Sequence, residues 1–272
     1  MRDVAEQEKE MSFLDHLEVL RWHLIRSTLA IFSVGIVLFV YQKQVYENFL
    51  LAHLNSNFPS YGWLCKLSSL FNIESGFCSI KYDMVLQSLS PTNQLSNSIW
   101  SSMILGFIVS FPYVLYEIWR FISPGLSKKE RTNSRGFIFI SSFLFFLGVC
   151  FSYFIIAPLS VYFFFNYQIT DMIINNFNFS SYVSMITNTL LGVSVVFELP
   201  IVIYFLTKIG LVTPQFLRKS RKYALIIVLV LAAIITPPDV ASQIIVAIPI
   251  MVLYEISIII SKVVIKNQNK DV

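Results

Sequence analysis

The stretch 119-WRFISPGLSKKERTNSR-135 decides how this chain is read. It separates two apolar runs, 99–118 and 137–157, each long enough to cross a bilayer. Five of its residues are basic: Arg120, Lys128, Lys129, Arg131 and Arg135. Such an excess holds a loop on the cytoplasmic side of a membrane. Glu130 is its one acid. Together with Ser127 it fits a capping box for the helix that follows. The same carboxylate can still present one oxygen to a cationic ligand, and a charge-assisted contact to a ligand arginine is strong and directional.

Outward from this loop, the composition agrees. Hydrophobic types make up 56% of the 272 residues and charged types 13%. Soluble domains carry about a quarter charged residues, and the deficit here is concentrated in long uncharged runs. The chain is therefore an all-α integral membrane protein, read as one domain spanning residues 1–272. The formal net charge of +4 is accounted for by inward-facing loops. No basic tract alternates with exposed aromatics, which argues against nucleic acid as a partner. The first apolar run is too long for the h-region of a cleavable signal peptide, and no small-x-small site follows it.

Six spans are expected, at about 24–40, 99–118, 137–157, 182–206, 223–235 and 244–260. Residues 1–23 form a cytoplasmic N-terminal segment. Within it, Phe13, Leu17, Leu20 and Leu24 recur at helical spacing, and Ser12 with Asp15 resembles a capping box. Two readings of 12–26 stand: an amphipathic helix in the membrane interface, or an extension of the first span. The third span is expected to stop at Pro158. The fifth apolar run has only 13 residues. Thr213-Pro214 supplies an N-cap and a first-turn proline, so that helix can begin at Pro214 and carry Arg218, Lys219, Arg221 and Lys222 through the headgroups. Bases occupy alternate loops, which places both termini in the cytoplasm.

Catalysis finds no footing. The three histidines, His16, His23 and His53, lie outside the expected spans, no HExxH occurs, and no phosphate-binding glycine loop is present. Gly192-Val-Ser194-Val-Val196 misses the final glycine of a nucleophile elbow, so Ser194 reads as a tight helix contact. No cofactor and no metal site is expected. The acids inside spans are different. Glu198 should face protein or water, since a carboxylate at the bilayer centre costs roughly 3 kcal/mol. It is either a contact for a partner or a group satisfied by neighbouring helices. Pro200 just after it can bend the helix. Glu255 lies nearer the cytoplasmic end of the sixth span, within reach of the interface or Lys262. Cys65 and Cys78 share the long outer loop, where either a disulfide or two thiols is open.

Taken together, these stretches resemble the TatC family, the membrane core of the twin-arginine protein translocase. The match begins with Phe13-Leu-Asp-His16-Leu17-Glu-Val-Leu20-Arg21. It continues through Trp119-Arg-Phe121-Ile-Ser-Pro124-Gly125-Leu126 with Glu130-Arg131, and Gly192-Val-Ser-Val-Val-Phe197-Glu198-Leu-Pro200. It ends with Leu217-Arg-Lys-Ser-Arg-Lys-Tyr223, Thr236-Pro237-Pro238-Asp239, Ser242-Gln243 and Ala247-Ile-Pro249. It covers nearly the whole chain in order, the outer loop 41–98 least. Two departures are Val19, where the family often has a second consecutive Glu, and Thr132, where many relatives have Arg.

The resemblance implies a glove-like fold of six helices in the cell inner membrane, with transport driven by the proton-motive force. It implies a receptor for twin-arginine signal peptides of folded precursors, in a multimeric complex with single-span TatA/TatB-type subunits. Signal-peptide contacts would fall on His16, Leu17, Leu20, Arg21, Phe121, Pro124, Glu130 and Arg131. A partner-binding polar site within the membrane would comprise Phe197, Glu198, Pro200, Asp239 and Gln243. The rival reading from the residues is a proton-coupled secondary transporter with Glu198 and Glu255 as relay. The corresponding broken helices that such a transporter shows in its two halves are not seen.

Overall fold

A computed structural model describes residues 13–70, 78, 86–123, 134–170, 177–235 and 240–268. Among the described residues every element is helical, apart from an isolated parallel bridge between Gln87 and Asn178. The first helix, α1, runs without a break over Phe13–Val40. The amphipathic stretch is thus the N-terminal part of the first span helix, as the extension reading has it. Short helical turns follow: α2 (Gln42–Val45), a π turn (Tyr46–Leu50), a 3-10 turn (Ala52–Leu54) and α3 (Pro59–Leu70). The chain then enters α4, Asn93–Ile122.

Three expected boundaries need correction. The third span begins with α5 (Ser134–Phe151) and does not stop at Pro158. A π turn, Ser152–Ile156, leads directly into α6, Ala157–Asn166. A widened turn relieves the clash and the lost hydrogen bond that proline imposes on a regular helix, so the apolar stretch extends over Gly136–Asn166. The fourth span is two helices, α7 (Phe179–Val196) and α8 (Leu199–Lys208), interrupted at Phe197-Glu198. Pro200 sits in the first turn of α8, where its missing N–H costs nothing. The helix before the fifth span does begin at Pro214, with the Thr213 hydroxyl accepting from Phe216 N–H at 3.2 Å. It ends as the short α9, Pro214–Lys219, and α10 (Arg221–Ile235) is a separate helix. The last helix, α11, covers Val240–Gln268.

Among the described residues five stretches are long and apolar enough to cross a membrane: Leu17–Val40, Asn93–Ile122, Gly136–Asn166, Phe179–Lys208 and Gln243–Lys266. With 15 residues, α10 reaches only about 22 Å, shorter than a hydrocarbon core of about 30 Å.

Small residues set the helix crossings. A Cβ on Gly106 of α4 would lie 2.9 Å from Gly35 N and Ile31 O, so α1 and α4 touch backbone to backbone. A Cβ on Gly148 of α5 would meet Ser194 Cα at 2.8 Å. Ser194 is fully buried and its hydroxyl donates to the Leu190 carbonyl, so it is the tight helix contact expected of it.

One apolar cluster gathers Leu50, Tyr61, Phe145, Val161, Ile186 and Leu190 under the loop that follows α1. His53 lies fully buried at its edge, and its Nε2–H donates to the Tyr153 carbonyl at 2.9 Å. Hydroxyls of Tyr61, Tyr153 and Tyr182 donate to the carbonyls of His53, Phe49 and Leu50. Burial pushes the His53 imidazole below its ordinary range. In the same loop Cys65 and Cys78 form a disulfide. A second cluster packs α10 against α11 through Val228, Ala232, Val246 and Ile250.

Candidate functional site

Two polar features interrupt the apolar bundle. The first lies where the N-terminal part of α1 meets the C-terminal end of α4, beside the basic loop. His23 Nδ1 and Glu117 Oε2 are 2.5 Å apart, and Glu117 is only 2% exposed. The Phe121 ring stands edge-on to His23 with centroids 6.3 Å apart. Around this contact Leu17 and Arg21 are exposed and Leu20 is half-buried. Trp119 is buried, stacked on Phe137 at 4.5 Å and tilted against Phe205 at 5.9 Å, which ties α4 to α5 and α8. Leu17, Leu20, Arg21 and Phe121 therefore share one end of the bundle. The His16 side chain, Pro124, Glu130 and Arg131 lie outside the described residues, as does the capping box expected at Ser127.

Glu117 was missed by sequence reasoning. It falls within the second expected span, so the argument that flags Glu198 as an intramembrane acid applies equally to it. Its closeness to the basic loop disguised it as an interfacial charge. Its partner His23 lies 94 positions away, a separation that no local pattern reports.

The second feature is Glu198 at the break between α7 and α8. The Ser141 hydroxyl donates to Oε2 at 2.6 Å, while Oε1 is buried with no hydrogen-bond partner. The break arises because Glu198 N–H reaches back three residues to Val195 O, and Glu198 O then receives both Ile201 and Val202 N–H. Ser141 continues the α5 face of Phe137 and Phe145 at four-residue steps. Phe197 and Pro200 are buried, and the Phe197 ring packs 5.6 Å from Phe151.

Gln243 lies on α11 facing α10. Its amide donates to the Leu229 carbonyl at 3.0 Å and pins α11 to α10. Asp239 lies outside the described residues. Glu255 receives Arg221 Nη2 at 2.7 Å, so its partner is Arg221 and not Lys262. With Glu255 held in that pair and Glu198 against Ser141, the two-carboxylate relay of a transporter is not supported. Among the described residues no cluster of three or more metal-ligating side chains occurs.

A family model described as "Sec-independent protein translocase protein (TatC)" matches residues 15–249. A protein of the same description from Blattabacterium sp. subsp. Periplaneta americana is 40% identical over 263 residues, covering 96% of this chain and 99% of that one. The Aquifex aeolicus protein is 33% identical over 261 residues, covering 96% and 98%. Two solved structures of a twin-arginine translocase receptor TatC superpose with TM-scores of 0.70 and 0.72. Both are 34% identical, and they cover 92% and 90% of this chain and 99% of their own. Since both the family model and these relatives span nearly all of it, the chain belongs to the TatC family of Sec-independent protein translocase proteins.

Proposed function

We propose that this chain is the receptor subunit of a twin-arginine protein translocase. It takes twin-arginine signal peptides at the end of the bundle that carries Leu17, Leu20, Arg21 and Phe121, with Pro124, Glu130 and Arg131 of the stretch that follows in sequence. It meets the single span of a TatA/TatB-type subunit beside Glu198. The observation that carries this is the Glu198 carboxylate: one oxygen is bonded to Ser141, and the other has no partner. A buried polar atom left unsatisfied costs about 1–3 kcal/mol. A donor arriving on a partner helix would recover that cost.

In this reading both termini and residues 119–135 face the cytoplasm, which the bases in alternate loops support, and the complex sits in the cell inner membrane. The Cys65–Cys78 disulfide supports this orientation, because such bonds persist on the oxidising side. Transport draws on the proton-motive force, with the chain acting as a translocase component and not as a catalyst.

The test is co-purification of the full chain with a precursor bearing paired arginines, against its twin-lysine version. Arginine-dependent retention is expected, and Glu130→Gln should weaken it while leaving expression unchanged, since Gln preserves a capping box. Equal retention of both precursors would remove the receptor role.

A further inference from the structure

The face of α11 that runs alongside α10 and α9 has two unlike halves. In the membrane-embedded half, α10 and α11 enclose a groove of about 550 Å3, walled by Leu225, Leu229, Ile244, Ile248, Val252 and Ile259. Beyond it, at the end of the last span, a second pocket of about 500 Å3 opens between α9 and α11. Its charged walls are Arg218, Lys262 and Lys266, and among the described residues no carboxylate lines it. Both sizes are in the range of small-ligand sites.

The two pockets follow one stripe of α11. Ile244, Ile248, Glu255, Ile259, Lys262 and Lys266 succeed one another by three, four or seven residues and so share a helix face. From Ile259 to Lys262 is one turn, about 4.5 Å along the axis. An apolar trough therefore leads into a cationic mouth where the span meets the headgroup layer. Glu255 lies on this stripe, and the Arg221 guanidinium at 2.7 Å compensates its charge. Among the described residues, Arg218, Lys262 and Lys266 form no ion pair.

We propose that this stripe is a binding site for one anionic phospholipid, with an acyl chain in the α10–α11 groove and the phosphate between Arg218, Lys262 and Lys266. Charge selects the occupant. An apolar helix would fill the groove and leave three bases facing one another uncompensated, and a zwitterionic lipid brings beside them a quaternary ammonium that cancels the charge of its phosphate. A phosphodiester accepts hydrogen bonds from all three, and each base near a membrane surface is worth about fivefold in affinity for an anionic lipid.

Native mass spectrometry of the full chain in detergent tests this, with dioleoyl phosphatidylglycerol and dioleoyl phosphatidylcholine titrated separately. One molecule of the glycerol lipid should be retained, at roughly a hundredfold lower concentration than the choline lipid. The triple variant Arg218→Gln/Lys262→Gln/Lys266→Gln should lose this preference. These side chains are exposed, so its unfolding temperature should match the wild type. Val252→Trp, which fills the groove from an exposed position, should weaken retention with all three bases present. Glycerol phosphate in similar amounts should not displace the lipid.

Four results would overturn the proposal. These are equal retention of the two lipids, unchanged retention in the triple variant, displacement by glycerol phosphate, or a co-purifying single-span protein that shields Val252→Cys in place of lipid.

Discussion

His23 on α1 and Glu117 on α4 meet at 2.5 Å inside the end of the bundle that carries Phe121 and Arg21. This contact fixes the N-terminal part of α1 against α4, and with it the surface on which Leu17 and Leu20 are displayed. Glu117→Ala leaves a part-buried imidazole without its partner and should destabilise the chain by about 2–4 kcal/mol. Glu117→Gln keeps an acceptor for Nδ1–H and should cost about half as much. The double change His23→Leu/Glu117→Leu should recover most of the loss, because an apolar pair leaves no group unpartnered. Thermal unfolding in detergent reads all three. A double variant no more stable than Glu117→Ala would show that the two residues do not act together.

At the Gly35–Gly106 crossing there is no room for a side chain. Gly106→Val would push backbone against backbone and should cost about 3 kcal/mol or more, loosening α1 from α4. Gly62→Ala serves as the contrast, since nothing lies within 4 Å of a Cβ there. In helix α3 it should stabilise by up to about 1 kcal/mol. Unfolding temperatures of the two variants should move in opposite directions.

His53 predicts a pH dependence of the outer loop. Its folded pKa is depressed by burial, so the unfolded chain binds the proton first as pH falls. Stability is full above about pH 6.5 and declines below it, by at most about 1.4 kcal/mol per pH unit. His53→Phe should be less stable at neutral pH, having lost the bond to Tyr153, but its stability should fall less steeply with acid. The difference between the two melting curves from pH 7.5 to 5 isolates His53 from His23. Parallel curves would mean that His53 titrates alike in both states.

Glu198 gives a test inside the membrane. Phe197 is 4% exposed and cannot present a thiol, whereas Val195 and Val202 flank Glu198 and are 50% and 49% exposed. Val202→Cys should therefore crosslink to a cysteine in a TatA/TatB-type helix. Glu198→Ala should reduce that crosslink and export severalfold while precursor retention at the cytoplasmic end persists. Glu198→Gln should be milder. Normal crosslinking and export in Glu198→Ala would leave the carboxylate with the Ser141 contact alone.

Topology is checked by thiol labelling of intact cells. Asn72→Cys and Asn175→Cys should react with an impermeant reagent from outside, and Ser127→Cys should not. Outside labelling of Ser127→Cys would reverse the orientation.

The sequence by itself determined the class and most of the architecture. Uncharged runs near twenty residues admit only membrane helices, because the backbone must satisfy itself away from water. The helix start at Pro214 was legible from local pairings, since a cap is a contact between near neighbours. So was the singularity of Glu198, because one carboxylate in an apolar run needs no partner to be noticed. The motifs at 119–131 and 192–200 carried the family.

Only the tertiary structure decided which acids matter to one another. Glu117 found His23, Glu255 found Arg221, and Gln243 turned to Leu229, all across helix interfaces. It also decided that Pro158 is absorbed by a π turn, that Cys65 bonds to Cys78, and that His53 is buried. The physical reason is the same throughout. Helix formation and insertion follow local hydropathy and capping, which the chain writes in order. The partner of a buried polar group depends on rotation and crossing of helices, set by contacts such as Gly35 on Gly106 that join residues 71 positions apart.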